Sequence, residues 1–163
     1  MEPHADKTDW LHEHGPRLML LARQWATSYA DAEDVFQEAF TRFWQRRDGV
    51  RDPVAYVYQC VRRAAIDRKR DETRRREQMD PPMFADPCEP YDAVQRKEES
   101  TLLEEALSKL GEEQREILVM KTWGDLTFTQ IGEVLDIPRR TAQSRHRAAL
   151  DELRTMMEQI KVA

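Results

Sequence analysis

The sequence is short of glycine and cysteine, and it contains no long apolar run. Only 5 of its 163 residues are glycine and 2 are cysteine, while charged residues make up 35%. No segment of about 18 consecutive apolar residues is present, so we expect no membrane-spanning helix. Because β-branched residues do not alternate with polar ones, a β-rich fold is disfavoured. The composition favours small helical units, each with one apolar stripe.

The cysteines and histidines do not form an evident metal or redox site. Cys60 and Cys88 do not make a Cys-x-x-Cys pair; a bridge between them stays open, although a reduced cytoplasmic chain is the simpler interpretation. His12 and His14 form an HEH motif, but no Cys or second His pair completes a metal set, so we expect a solvated helix there. The amino-terminal stretch lacks the apolar core of a secretory signal. We therefore expect a cytoplasmic protein with no cofactor and no bound metal.

Charge is distributed unevenly along this acidic chain, whose formal net charge is −5. Residues 62–76 contain eight Arg or Lys and three acids, and residues 139–154 contain five Arg and two acids. Residues 77–105 instead contain nine acids and two bases. Basic segments in an acidic chain indicate either a polyanion bound at defined places or helix surfaces with internal ion pairs.

A proline-rich stretch divides the chain into two parts. Four of the 8 prolines lie within residues 78–95. Each proline lacks an amide donor and disfavours helix in the residue before it. We therefore predict an all-α protein with two small helical domains, residues 1–77 and 96–163, joined by a Pro-rich linker at 78–95.

The amino-terminal part contains one strongly amphipathic helix. In DAEDVFQEAFTRFWQ the apolar side chains share one face, and the opposite face carries Asp34, Gln37 and Glu38. Asp31 is the expected N-cap of this helix. The stretch RRDGVRDP then interrupts the pattern. Helix resumes at about Val54 and continues into the basic segment.

The carboxy-terminal part contains four helical segments, of which the last two are separated by a tight turn. Gly124 is the expected C′ residue at the end of the second segment. Thr127 and Gln130 match a T-x-x-Q capping box at the start of the third. DIP is a three-residue turn, and Pro138 lies at or near the first position of the last helix. This pattern favours a helix-turn-helix.

The last helix has one apolar and one polar face. On a helical wheel the inner face comprises Ala142, His146, Ala149 and Leu153, and the outer face comprises Arg140, Gln143, Ser144 and Arg147. Arg and Gln match the major-groove edges of guanine and adenine. This face favours DNA binding, although an amphipathic hairpin in an ordinary helical domain would show the same periodicity. We expect His146 to be a core histidine.

Both parts resemble conserved regions of bacterial sigma factors. DAEDVFQEAFTRFWQ looks like region 2, and LTFTQIGEVLDIPRRTAQSRHRAALDELR looks like the region 4 helix-turn-helix. Two such regions with a short linker, over about residues 14–156, resemble the extracytoplasmic-function (ECF) group. The resemblance implies a non-enzymatic protein that binds core RNA polymerase, recognises the −35 and −10 promoter elements and helps to open the promoter.

The resemblance also implies roles for individual residues. The β′ clamp helices of the polymerase would contact Asp34, Gln37 and Glu38. Residues 56–70 would face the −10 element, where the candidates for contacting the opened strand are Tyr56, Tyr58, Arg62 and Arg63. The residues implied at the −35 element are Lys121, Arg139, Arg140, Gln143, Ser144 and Arg147. The polymerase β subunit and an anti-sigma factor are further expected partners.

The sequence departs from the family pattern at several positions. Asp136 stands at the usual turn glycine, and His146 stands at the usual inward leucine. Gln143 replaces a basic residue, which would move a base preference toward adenine. The loop at residues 46–53 is shorter than in many relatives, where it holds a flipped −10 base, so its role here stays open.

Two other classes of function fit parts of the sequence. A stand-alone helix-turn-helix regulator should bind duplex DNA tightly by itself, whereas a sigma factor should need the polymerase. A protein-binding adaptor would not need Arg140 or Arg147. An enzyme is the weakest alternative, because no Gly-rich phosphate loop or nucleophile–base pair stands out. The acidic tract at 77–105 would either shield the basic faces or occupy a polymerase channel.

Overall fold

The computed structural model describes residues 6–78 and 98–162, and these stretches form helices joined by short turns. The helices are α1 (Lys7–Arg23), α2 (Tyr29–Arg46), α3 (Pro53–Gln78), α4 (Glu98–Lys109), α5 (Glu112–Leu118), α6 (Phe128–Leu135) and α7 (Arg139–Val162). No strand occurs in the two described stretches. The predicted all-α fold is therefore confirmed.

The chain divides into two compact units, Met1–Cys88 and Glu89–Ala163. The predicted linker at 78–95 lies outside the described residues except for Gln78, which is the last residue of α3. The domain boundaries at 77 and 96 stay a prediction. Among the helices of the described stretches, none is long and apolar enough to cross a bilayer.

The first unit is a bundle of α1, α2 and α3. Each helix buries one stripe, and the fully buried large side chains include Leu18, Leu21, Val35, Phe43 and Val57. Leu18 and Leu21 are three residues apart, and Val35, Ala39 and Phe43 follow one another at steps of four, so each set lies on one inner face, as the sequence predicts. The last buried residue of α3 is Ala65, so the basic end of that helix continues past the core.

The start of α2 differs from the predicted one. Ser28 is the N-cap, and its hydroxyl accepts a hydrogen bond from the Asp31 amide at 3.1 Å. The prediction that Asp31 caps the helix is therefore wrong. Asp31 lies in the first turn, where its carboxylate accepts a 3.4 Å hydrogen bond from the Thr27 amide and is nearly buried.

The second unit contains α4 to α7. The chain after α5 continues as a π-helical turn, Val119–Trp123. Gly124 follows with a φ of −77°, and the left-handed residue is Asp125, with a φ of 54°. The prediction that Gly124 is the C′ residue is therefore wrong, since the wider π turn moves that position one residue further along.

The helix-turn-helix begins with the predicted capping box. The Gln130 amide donates to Thr127 Oγ1 at 3.1 Å, and the Thr127 amide donates to Gln130 Oε1 at 2.9 Å. Asp136 ends α6 in the left-handed region, with a φ of 55°. The turn passes close to Gly132, where a Cβ would lie only 2.7 Å from the Ile137 carbonyl oxygen. Glycine is therefore required there for the turn to close.

Candidate nucleic-acid and polymerase interfaces

The outer face of α7 is polar and exposed to solvent. Ala142 and Ala149 are buried on its inner face, against α5 and α6. The candidate residues on the opposite side are all exposed, namely Arg139, Arg140, Gln143, Ser144 and Arg147. The capping box and the Asp136 turn set the direction in which α7 begins. The structure thus brings these predicted −35 residues together along about two turns of one helix.

Lys121 is the exception among the predicted −35 residues, because its ammonium already has partners. Nζ donates to the Leu126 carbonyl at 3.2 Å and lies 4.7 Å from the centroid of the Phe128 ring. The side chain is half-buried on the π turn before α6. These contacts hold the positive charge at the amino-terminal end of the helix-turn-helix. A contact between Lys121 Nζ and a DNA phosphate would have to form in addition to these two contacts.

His146 lies on the inner face, as predicted. Its ring packs edge to face on Phe128, with centroids 5.4 Å apart. Burial lowers the pKa of His146 below its ordinary 6.5, and the charge of Lys121 lowers this pKa further. The half-buried imidazole on the inner face of α7 therefore favours its neutral form.

Tyr58 does not belong to a DNA-contacting surface. Its side chain is 1% exposed in the core of the first unit. Burial raises the pKa of Tyr58 to about 12, although Arg17 acts in the opposite direction. The assignment of Tyr58 to the −10 surface is therefore corrected, since a ring packed in the core cannot stack on a base without unfolding α3.

The other three predicted −10 residues remain accessible on α3. Arg63 is exposed, and Arg62 and Tyr56 are half-buried. The Tyr56 ring packs against Phe43, with centroids 6.0 Å apart, so the aromatic side chain is held by the core at one edge. The adjacent loop forms a 3-10 turn, Arg47–Gly49. There the Arg47 guanidinium lies 3.6 Å from the centroid of the Trp44 ring.

The three predicted polymerase-binding residues lie on the exposed face of α2. Asp34, Gln37 and Glu38 are all exposed. Glu38 forms an i,i+4 salt bridge with Arg42 at 2.8 Å. Asp34 lies 3.5 Å from an Arg68 nitrogen on α3. The structure thus places three polar side chains on one helix face and links one of them to the basic helix.

Arg68 is a functional candidate that the sequence analysis missed. Its guanidinium binds both Asp31 and Asp34 across the α2–α3 packing. A signal for this pair was present in the sequence. Asp31 precedes Val35 and Ala39 at four-residue steps, so it lies on the apolar face, where a carboxylate needs a cationic partner.

The described residues contain no group of three or more His, Cys, Asp or Glu side chains arranged to hold a metal ion. His12 is exposed and its Nδ1 lies 3.1 Å from the Thr8 carbonyl oxygen. His14 is half-buried against Trp10, with ring centroids 4.1 Å apart. The HEH motif is therefore part of an ordinary helix surface.

Two known protein families match separate stretches of the chain. The family Sigma-70 region 2 matches residues 10–75, and Sigma-70, region 4 matches residues 106–155. The first match contains α2 and most of α3, and the second contains the complete helix-turn-helix. The two regions occur in this order, separated by residues 76–105.

Several sigma factors are similar to the chain over most of its length. The ECF RNA polymerase sigma factor RpoE of Cereibacter sphaeroides is 27% identical, over 96% of this chain and 99% of that protein. SigW of Bacillus subtilis is 29% identical, over 80% of this chain and 77% of that protein. SigL of Mycobacterium tuberculosis is 28% identical, over 92% of this chain and 88% of that protein.

Two solved structures share the fold. The sigma factor RpoE in complex with the anti-sigma factor NepR, from Bartonella quintana, has a TM-score of 0.75 and 19% identity, covering 94% of this chain and 97% of that one. CnrH in complex with the cytosolic domain of CnrY has a TM-score of 0.63 and 19% identity, covering 93% and 86%. At these identities the likeness concerns the fold alone.

The two matched regions define a sigma factor that initiates transcription with RNA polymerase. The chain belongs to the sigma-70 family and, within it, to the ECF group. Its partners are core RNA polymerase and promoter DNA. The alternative of a stand-alone helix-turn-helix regulator is not favoured, because the first unit is a sigma region as well.

Proposed function

We propose that the two units divide promoter recognition between them. In the second unit, α7 enters the major groove of the −35 element, and Gln143, Ser144 and Arg147 contact base edges or the adjacent backbone. Lys121, Arg139 and Arg140 contact phosphates. The observation that carries this proposal is the exposed outer face of α7, whose opposite face is fixed by buried Ala142 and Ala149.

In the first unit, α3 faces the −10 element and α2 faces the polymerase. Arg62, Arg63 and Tyr56 would hold the opened strand, through phosphate contacts and stacking. Asp34, Gln37 and Glu38 would lie against the β′ clamp helices. Their exposure on the side of α2 that faces away from the core supports this assignment. The predicted domain boundaries at 77 and 96 would place −10 recognition in the first unit and −35 recognition in the second.

The protein acts by binding and performs no bond chemistry of its own. It works in the cytoplasm, where the polymerase and the promoter are found. An anti-sigma factor is a further partner, supported by the two structural neighbours, whose titles describe complexes with NepR and with the cytosolic domain of CnrY. We assign no contact to the acidic tract at 77–105 or to the short loop at 46–53.

Run-off transcription tests the proposal. Core bacterial polymerase is incubated with and without the protein over a pool of promoter fragments. Transcripts that depend on the protein and share two spaced upstream elements are the expected result. Tight binding of the free protein to duplex DNA, without new transcripts, would instead indicate the stand-alone regulator and leave the first unit without a role.

A further inference from the structure

Arg68 joins two carboxylates at the start of α2. Its Nε binds Asp31 Oδ1, and its Nη2 lies 3.5 Å from Asp34 Oδ2. The Asp31 side chain is 10% exposed, and that of Asp34 is 63% exposed. One guanidinium therefore binds a buried and an exposed acid at the same time. The planar fork of Arg donors permits this geometry.

The buried half of this arrangement is held by two further hydrogen bonds. The Asp31 carboxylate accepts from the Thr27 amide through Oδ2, and the Asp31 amide donates to Ser28 Oγ. Asp31 is thus tied to the first turn of α2 from two sides. Because Arg68 is bound to this fixed carboxylate, its remaining nitrogen is held in place next to Asp34. An exposed aspartate without such a neighbour would sample several rotamers.

We propose that Arg68 is a positioning residue for the polymerase interface and holds the Asp34 carboxylate in the orientation that docks. The inference rests on the proposed contact between Asp34 and the polymerase. A carboxylate that is already oriented loses less side-chain entropy on binding, so docking is stronger. Arg68 lies on α3, so the same contact ties the polymerase-facing helix to the DNA-facing one.

The substitution Arg68→Lys separates positioning from folding. Lysine keeps the positive charge and can pair with the buried Asp31, but a single ammonium lacks the fork that holds two carboxylates. An exposed pair of this kind contributes little, so we expect the Kd for core polymerase to rise about two- to fivefold. The full-length variant is measured well below its melting temperature. Arg74→Lys, the same exchange at an exposed position of α3, is the matched control and should bind like the wild type.

A double-mutant cycle with Asp34→Asn decides whether Arg68 acts through Asp34. We expect Asp34→Asn alone to weaken polymerase binding, and Arg68→Lys to add nothing in that background. An equal loss from Arg68→Lys in both backgrounds would overturn the proposal, because a purely structural role does not depend on Asp34. Unchanged or tighter binding by Arg68→Lys alone would overturn it as well. Wild-type affinity of Asp34→Asn would instead show that the polymerase assignment of Asp34 is wrong.

Discussion

The rings of Phe128 and His146 pack edge to face, with centroids 5.4 Å apart and planes inclined by 64°. They join Phe128, the first residue of α6, to the inner face of α7. The outer face of α7 carries the proposed DNA-contacting residues. Lys121 lies over the same Phe128 ring. A neutral imidazole beside a positive charge is therefore part of the packing between α6 and α7.

The stability of the second unit should fall in mild acid. Burial and Lys121 lower the pKa of His146, so the folded state binds a proton less readily than the unfolded chain, where the pKa is near 6.5. The contribution of neutral His146 is fully present above 6.5 and is lost as the pH falls below that value toward the lowered pKa. We expect a lower melting temperature at about pH 5.5 than at about pH 7.5.

The variant His146→Leu should remove this part of the pH dependence. His14 in the first unit has a pKa lowered by burial as well, so some dependence remains. His12→Ala, a substitution of an exposed histidine in the first unit, is the matched control. An unaltered profile in His146→Leu would contradict the role of the half-buried imidazole.

The substitution Tyr58→Phe should not harm the protein. The buried Tyr58 hydroxyl has no hydrogen-bond partner within the described part of the chain, and such an unsatisfied group costs about 1–3 kcal/mol. We expect the free energy of unfolding to rise by about 1 kcal/mol, with transcription from −10-containing promoters unchanged. Chemical denaturation and run-off assays measure these two quantities. A selective loss of promoter opening in a stable variant would instead support the original assignment of Tyr58 to the −10 surface.

Two substitutions at the turn between α6 and α7 should change the stability of the protein in opposite directions. Gly132→Ala places a Cβ 2.7 Å from the Ile137 carbonyl oxygen, so backbone must move, at a cost of about 1–3 kcal/mol. Asp136→Gly removes a side chain from a left-handed residue and should stabilise the protein by about 0.5–1 kcal/mol. Thermal unfolding of the two variants checks both signs. Equal stabilities would mean that the turn adapts freely.

Arg147→Ala should weaken promoter use mainly through the −35 element. A base contact contributes about 1–3 kcal/mol, which corresponds to roughly a 5- to 150-fold loss of transcript at limiting protein. Arg154→Ala, an exposed arginine two turns further along α7, is the matched control. Run-off transcription on promoters with and without the −35 element separates a loss of −35 recognition from a general loss of activity. A normal transcript level from Arg147→Ala would contradict the assignment.

Asp34→Lys should abolish association with core polymerase and leave the fold intact. The change reverses a charge that is 63% exposed, on the face proposed to meet the clamp helices. Glu158→Lys makes the same reversal at an exposed position of α7 and should bind normally. Association is measured by gel filtration at moderate salt, and helix content by circular dichroism. Retained binding of Asp34→Lys under these conditions would refute the assignment.

The helix-turn-helix was predictable because its signals are local. The T-x-x-Q capping box, the DIP turn and the face of α7 each depend on residues a few positions apart, and the structure has all three. The apolar stripe of α2 was predictable for the same reason, whereas that of α3 was predicted only in part, because Tyr58 was assigned to the surface. The start of α2 was harder to predict, because Ser28 and Asp31 lie within one turn of each other and both are good N-cap residues.

The sequence by itself determined the helices, their inner faces and the family, since these follow from periodicity, capping and motif order along the chain. Only the tertiary structure decided that Tyr58 is buried, that Lys121 already binds the Leu126 carbonyl, and that Arg68 joins Asp31 to Asp34. The burial of Tyr58 and the contacts of Arg68 depend on how one helix lies against another, and the Lys121 contact depends on the path of the chain after the π turn. Helical periodicity gives the face of a residue, but the packing of a second helix decides whether that face is open, closed or paired with a charge.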